Sequence, residues 1–393
     1  MLVSDLRRAV ATPPYLAGLG AGRFALGDFL ARWHGRVPHD LSASDSETLS
    51  LSTLLALATP EARDGWKTLH LGYTDPRGGI ELRAAVAARH RVLEADDILC
   101  CCGAQEAVTC VLKALLPPAS HAVLLLPIYQ PSEMVLTSLC AVTGLALREE
   151  EDWQPDPDRI EAALRPETRL VMMNFPNSPT GASVDPDRLE ALVALCRRRG
   201  VWLVNDEIYR QTEIVQGALQ PPMLADLYER GISINGLSKG FGLPGLRVGW
   251  VACRDRTLLD GALVAKSMLS TCLSAGSVVL AAIALAAEEQ IVPLARDIGA
   301  ANWRKLQAII DAQPDLFTPE PARNLAIGYL RYLGADGAAA FVDRLARGSG
   351  ILLLPGTLWQ TKLAALRVDR VRIGLGHRRS GPALDALAEI CHR

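Results

Sequence analysis

The stretch Ser233-Ile-Asn-Gly-Leu-Ser-Lys-Gly-Phe-Gly-Leu-Pro-Gly-Leu-Arg-Val-Gly-Trp250 decides the fold. Its opening belongs to an apolar run over residues 231–235 that reads as a strand, and its end enters a second run over 247–253. Between them, Gly240, Gly242, Pro244 and Gly245 punctuate the chain as turn residues do, leaving Ser238 and Lys239 just past a strand end. Outward from this point the alternation repeats. Residues 98–102, 122–126, 170–174 and 201–205 read as buried strands. Residues 105–116, 157–164 and 187–199 read as helices, the last ended by Gly200. Strands alternating with helices predict a mostly parallel sheet covered on both faces.

In open sheets of this kind ligands bind outside the carboxyl ends of the strands. Those positions hold Gly103-Ala104-Gln105, Pro127-Ile128-Tyr129, Asn177-Ser178-Pro179-Thr180-Gly181, Asp206-Glu207-Ile208-Tyr209 and Ser238-Lys239. Small, aromatic, acidic and basic in turn, they suit a flat, phosphorylated, cationic heterocycle.

The ends of the chain read differently. Residues 290–312 are strongly helical, and short strand-like pieces follow at 325–332, 350–354 and 370–375, which predicts an α+β tail domain. The segment before Leu71 shows helices and no obvious sheet, and is expected to pack on the tail or on a partner subunit. The 393 residues, 49% hydrophobic, allow two or three lobes with a large core. A net charge of −2 gives no reason to expect a nucleic-acid or anionic-membrane surface. Nine cysteines, without framework spacing or a C-x-x-C pair, read as core residues of a reducing compartment rather than disulfides or a zinc ribbon. Residues 1–19 lack the uninterrupted apolar stretch of a signal peptide, so a soluble cytoplasmic protein is expected.

The stretch ending at Trp250 resembles the lysine segment of class I/II aminotransferases, whose pattern is S-K-x-F/Y-G-x-x-G-x-R-x-G, and four further landmarks of that family follow in order and spacing. The resemblance implies pyridoxal 5'-phosphate as cofactor. It also implies the aspartate aminotransferase-like fold type I, with a large α/β domain around a mostly parallel, seven-stranded type of sheet and a smaller α+β C-terminal domain. The expected division is an N-terminal segment over 1–70, a cofactor-binding domain over 71–288 and a small domain over 289–393. By this resemblance Lys239 carries the cofactor as a Schiff base, and an amino acid reacts through external aldimine and quinonoid intermediates. An amine beside a cationic ring serves as both nucleophile and proton carrier; taken alone, Lys239 reads as a surface lysine after a strand.

The other roles carry over by position. Arg247 and Ser238 are expected at the phosphate, since a guanidinium matches phosphate oxygens and keeps its charge. The turn Gly103-Ala104-Gln105 opens a helix, whose free N–H groups favour an anion. Asp206 resembles the partner of the pyridine nitrogen, where a carboxylate keeps the ring an electron sink; its plainer reading is a helix cap. Tyr209 follows at the spacing of the tyrosine beside the ring hydroxyl. Tyr129 resembles the stacking aromatic, against a plain reading as a core tyrosine. Tyr73, in Gly72-Tyr-Thr-Asp-Pro-Arg-Gly-Gly-Ile-Glu-Leu-Arg83, resembles the tyrosine that reaches a neighbouring subunit's phosphate, which implies a homodimer with shared active sites. Arg372, in Arg370-Val-Arg-Ile-Gly-Leu375, resembles the arginine that grips the substrate carboxylate; Arg367 and Arg370 are nearby alternatives, and strand alternation puts Arg370 and Arg372 on one face.

One departure concerns the reaction. The family normally has asparagine immediately before Pro-Thr-Gly, donating to the ring hydroxyl; here Ser178 takes the position and Asn177, one residue earlier, has the matching chemistry. The fold type hosts many reactions, so fold alone does not choose. Transamination of an L-amino acid leads. Asp226-Leu-Tyr-Glu-Arg-Gly-Ile-Ser233, Leu26-Gly-Asp-Phe-Leu-Ala-Arg-Trp33 and Asp40-Leu-Ser-Ala-Ser-Asp45 resemble the capreomycidine synthase-like branch, which implies elimination and cyclisation on hydroxylated arginines as the alternative. Asp45 stands where that branch usually has glycine: it is placed to pair a cationic substrate end, or is an ordinary loop aspartate. A cofactor-sensing transcription regulator fits poorly, because about seventy residues precede Tyr73 and they contain no basic recognition helix.

Overall fold

The run Leu170-Val-Met-Met173 contains no polar side chain and is wholly buried, as a strand covered on both faces requires. In the computed structural model, which describes residues 24–33, 35–214, 220–318 and 326–391, it forms the middle of the strand Thr168–Asn174. In chain order the strands are β1 (His39–Asp40), β2 (Ile98–Cys101), β3 (His121–Leu126), β4 (Ala141–Ala146), β5 (Thr168–Asn174), β6 (Trp202–Asp206), β7 (Gly231–Gly236), β8 (Gly249–Ala252), β9 (Ile327–Arg331), β10 (Ile351–Leu352), β11 (Leu354–Pro355) and β12 (Arg370–Gly374).

Seven of them make one sheet in the order β2-β8-β7-β6-β5-β3-β4. All neighbouring pairs run parallel except those of β8, which is antiparallel to both β2 and β7. The carboxyl ends of β2, β3, β5, β6 and β7 therefore share one edge, and β8 begins at that edge, with Gly249 opposite both Cys101 and Gly236. One face is closed by the helices Ala104–Leu115 and Arg256–Ser267, whose Val108, Val111, Leu112, Leu259 and Ala262 join the core. The other face is covered in part by Pro186–Arg199, which the chain delimits itself: Asp185 caps the first turn through the N–H groups of Asp187 and Arg188, and Gly200 ends it at φ 66°.

The tail builds a second sheet, β11-β12-β9, antiparallel throughout. Phe317, Leu330, Phe341, Val371, Ile373 and Leu384 form its own core with the helices Glu288–Ala312, Ala338–Ser349 and Ser380–Cys391.

Four features differ from or add to the sequence reading. The segment 247–253, whose direction the sequence left open, is the antiparallel β8; no α-helix crosses over between it and β7, only a loop with the short 3-10 helix Pro244–Leu246. β4 was not expected: Ala-Val-Thr-Gly-Leu-Ala carries a glycine and lies partly exposed at the sheet edge, so its pattern is weak. The expected strand at 350–354 is two pieces, β10 and β11, in different sheets. The N-terminal segment does contribute a strand, since β1 pairs with β10 through His39–Ile351 and Asp40–Leu352. The reading of residues 1–19 lies outside the described residues, as does residue 325 of the expected tail strand. Among the described residues no single helix is long and apolar enough to cross a membrane.

Past β1 the chain becomes a strap over residues 41–47. Asp40 shapes its start by accepting from the backbone N–H and the hydroxyl of Ser42, at 2.8 and 2.6 Å. On one side Gly374 N donates to Leu41 O at 2.7 Å and Glu47 N donates to Gly376 O at 2.8 Å; on the other Ser46 N donates to Lys239 O at 3.3 Å. The backbone of the strap lies so close to Gly242, Gly374 and Gly376 that a Cβ on any of the three would collide with it. The strap is thus clamped between the lysine loop and the tail sheet.

Candidate active site

Lys239 follows β7, and its Nζ donates to the hydroxyl of Ser44 in the strap at 2.7 Å. The ammonium lies 5.3 Å from the centre of the Tyr209 ring. Tyr209 is buried, and the hydroxyls of Ser44 and Ser178 lie beside its phenol. Burial pushes this phenol up, but the Lys239 and Arg372 cations and the two hydroxyls outweigh it and leave the phenol below its usual range. Lys239, Tyr209, Ser178, Ser44 and Arg372 therefore share one electrostatic neighbourhood, assembled from three strand ends, the strap and the tail sheet.

Arg372 is buried on β12, with a guanidinium that donates to Ser42 O and lies 5.9 Å from the Trp359 ring. Its Nε is buried and without a partner among the described residues. A half-paired buried guanidinium is costly unless a further acceptor arrives, and a carboxylate is the natural one. Arg370, on the same face, is differently engaged: it pairs with Glu149, donates to Tyr329 O at 2.7 Å and lies between the rings of Trp153 and Tyr329. Arg367 pairs with Glu149 at 4.0 Å.

Asp206 ends β6. Burial pushes its carboxyl up to about 7, opposed by the N–H of Ile208, assisted by the nearby Glu207 and opposed by the Lys239 charge. A carboxylate so poorly solvated is primed to take a cation. Asp45 in the strap contrasts with it: burial works to raise it, yet its bond to His377, at 3.3 Å, and the Lys239 charge hold it below the usual carboxylate range. Asp45 is an anion on the rim of the site.

A second cluster lies where β2 meets β8. Gly103 caps the helix Ala104–Leu115 at φ 90°, a conformation that favours glycine, and a Cβ there would meet the Arg247 guanidinium. The N–H groups of the first turn, Ala104 and Gln105 among them, and the Arg247 side chain thus face the same space. Gln105 adds a buried Nε2 with no partner among the described residues, while its Oε1 accepts from Ser132 at 3.1 Å. Ser238 lies partly buried beside Lys239.

Three residues stand apart. Asn177 is fully committed to its own loop: its Nδ2 donates to Pro127 O at 3.0 Å and Asn174 O at 3.1 Å, and its Oδ1 accepts from Thr180 N and Oγ1. Its amide has nothing left for a ring hydroxyl, whereas the hydroxyl of the neighbouring Ser178 lies beside the Tyr209 phenol. Tyr129 follows β3, is 41% exposed and meets Phe24 edge-on at 5.9 Å, so it is not a core tyrosine. Tyr73 is 94% exposed and contributes nothing to the site of its own chain. The sequence reading missed Ser44, Ser42 and His377. Ser42 and Ser44 were legible only as neighbours of Asp45 in an unusual stretch; His377 gave no signal, because its proximity to Asp45 exists only once the tail folds back.

The sheet, the lysine past β7, the aspartate at the end of β6 and the anion cradle at β2 define a pyridoxal-phosphate-dependent enzyme of fold type I. The chain matches the family of class I and II aminotransferases over residues 39–379, and it belongs to that family. It is 31% identical over 373 residues to capreomycidine synthase of Streptomyces vinaceus, covering 91% of each chain. It is 29% identical over 335 residues to an arginine–pyruvate transaminase of Pseudomonas aeruginosa, covering 82% of this chain and 81% of that one. A PLP-dependent aminotransferase structure from Streptococcus suis superposes with a TM-score of 0.86 at 26% identity, over 95% of this chain and 98% of that one. The aspartate aminotransferase of Thermotoga maritima, at 20% identity, shares the fold with a TM-score of 0.79 over 97% and 100% of the two chains. The residues fit the cofactor on their own terms. An orphaned amide and a guanidinium beside a glycine-capped helix start suit its phosphate, and a desolvated carboxyl suits its pyridinium.

Proposed function

We propose that the enzyme transaminates an L-amino acid. One observation carries this: the Lys239 amine and the Arg372 guanidinium, with its unpartnered Nε, face the same phenol, Tyr209. An α-amino acid offers a carboxylate for such a guanidinium and an amine to take the place of that of Lys239. When bound, the cofactor supplies an electron sink for the carbanion at Cα.

The chain supplies the rest. Asp206 holds the pyridine nitrogen protonated. Tyr209 and Ser178 donate to the ring hydroxyl, with Ser178 rather than Asn177 in that role because the Asn177 amide is spent. Arg247, Ser238 and the backbone of Gly103, Ala104 and Gln105 hold the phosphate, and Tyr129 lies against the ring. With the cofactor bound, Lys239 would be the residue that carries it, and its Nζ, once free, would be placed to take the Cα proton. Arg372 fixes the carboxylate, which sets which face of Cα meets Nζ. The fully exposed Tyr73 fits a role in the neighbouring site of a homodimer, and the divisions 1–70, 71–288 and 289–393 and a cytoplasmic location belong to the same reading.

A second reading has its own support. The likeness to capreomycidine synthase extends over 91% of the chain, and Asp45 is an anion at the rim where a cationic side chain would pass. Under it, a hydroxylated arginine loses water and the product is attacked internally. One experiment separates the two. The holoenzyme is given each common amino acid, and hydroxyarginines, while the cofactor absorption is followed and products are identified by mass. A pyridoxamine-type spectrum with keto-acid release is expected; loss of water with the amine retained would move the assignment to elimination or cyclisation. Lys239→Ala is expected to bind the cofactor without a borohydride-trappable bond. Covalent trapping in that variant would overturn the central assignment.

A further inference from the structure

Ser44 stands in the strap one residue before Asp45. Its hydroxyl accepts from Lys239 Nζ at 2.7 Å, and it lies close enough to the Tyr209 phenol to lower that phenol's pKa, as Ser178 does from the end of β5. Lys239 and Ser44 are thus hydrogen-bonded beside the Tyr209 ring, whose centre lies 5.3 Å from Nζ. The direction of that bond is fixed by chemistry. An ammonium only donates, and a hydroxyl has one hydrogen and two lone pairs, so Ser44 accepts from Nζ. The position of Ser44 is fixed as well, because Ser42 O is held by Arg372, Ser46 N by Lys239 O and Glu47 N by Gly376 O. The strap has little freedom to carry the hydroxyl away.

We propose that Ser44 is a positioning residue that holds the released amine of Lys239 for proton transfer at the substrate Cα. The proposal rests on the reading of Lys239 as the cofactor lysine. A free amine on a four-carbon stem has many rotamers, and proton transfer needs Nζ within about 3 Å of its target. One N–H anchored on Ser44 confines Nζ to an arc beside Tyr209. The lone pair of the neutral amine stays available. In the transfer the Cα–H bond breaks, its electron pair stays with the substrate, and an Nζ–H bond forms. The resulting ammonium keeps the same anchor, more strongly because it is charged.

The test compares Ser44→Ala with Ser44→Thr, which keeps the hydroxyl. In cofactor-free protein, carbamylation of Lys239 by cyanate is followed by peptide mass spectrometry across pH. Removing an acceptor from the ammonium is expected to speed modification about tenfold at pH 8 in Ser44→Ala, and Ser44→Thr is expected to stay near wild type. In holoenzyme, deuterium wash-in from D2O is measured at the Cα of whichever of L-arginine, L-alanine and L-aspartate the wild type exchanges fastest. Ser44→Ala is expected to lower the maximal exchange rate roughly 10- to 100-fold, with the half-saturating concentration within about twofold. Unchanged carbamylation and exchange in Ser44→Ala, with normal borohydride trapping of the cofactor on Lys239, would overturn the proposal alone. Absence of trapping in the wild type would instead sink the cofactor reading beneath it.

Discussion

Asp206 shows how a single residue stores a functional bias that the empty fold has to tolerate. Its carboxyl, pushed up to about 7 by burial, keeps a proton that an unfolded aspartate has lost near pH 4. Between those values the folded state binds more protons than the unfolded one, so stability falls as pH rises, and the loss is complete once pH passes about 7. The expected size of this share is at most about 4 kcal/mol. In cofactor-free enzyme, urea midpoints measured from pH 5 to pH 8 should fall, and Asp206→Asn should flatten the fall. A share should persist in that variant, because burial also pushes Glu213 up to about 7. A bound pyridinium favours the ionised carboxylate, so cofactor loading should remove most of the Asp206 share. Equal slopes in wild type and Asp206→Asn would show that the carboxyl is better solvated than its burial indicates. The same residue shows what the sequence conveys at this scale. Asp206, Lys239 and Arg372 could be picked out because motif spacing names a residue without knowing its neighbours. The choice between Asn177 and Ser178 could not, since it depends on a hydrogen bond to Pro127 O, 50 positions away in the chain.

At the scale of elements, the anion cradle depends on how closely β8 approaches the turn after β2. A Cβ at Gly249 would strike Ala104 N and the Gly103 carbonyl carbon, the backbone that opens the helix. Gly249→Ala must therefore displace the N–H groups proposed for the phosphate, at a cost of about 1–3 kcal/mol. Cofactor affinity, measured by fluorescence titration, is expected to fall about tenfold or more. Gly245→Ala is the control, since nothing lies within 4 Å of its Cβ position and its φ is not positive, and it should bind as wild type does. An equal loss in both variants would mean that the loop, not the close approach, sets the affinity. The glycines in the quoted stretch were legible as turn residues, and their clustering located the lysine. What the pattern hid was direction. A hydrophobic run such as 249–252 reads the same whether its strand is parallel or antiparallel, and here it is antiparallel to both neighbours. β1 was hidden for another reason: two residues give no periodicity, and it exists only as the partner of β10.

At the scale of the whole molecule, the strap and Tyr73 point in opposite directions. The strap is clamped within its own chain, between the lysine loop and the tail sheet, so Ser44 and Asp45 serve the site of the subunit that carries them. Tyr73 has 94% of its surface open and no part in that site, and Leu71 beside it is 88% open. Two large apolar side chains so exposed need a covering surface. If that surface is a second copy in an isologous dimer, each site combines Lys239 of one subunit with the partner subunit's Tyr73. The arrangement can be tested without knowing the substrate's name. Lys239→Ala should abolish Cα deuterium exchange, and Tyr73→Ala should weaken cofactor binding and exchange severely. Unfolding and refolding the two variants together scrambles the subunits. About half the dimers are then hybrids, and each hybrid regains one intact site, made from the Lys239 of the Tyr73→Ala subunit and the Tyr73 of the other. Activity should return to about a quarter of wild type, and cofactor should be trapped on the Tyr73→Ala chain alone. If Tyr73 served its own subunit, no hybrid would contain an intact site and the mixture would stay inactive.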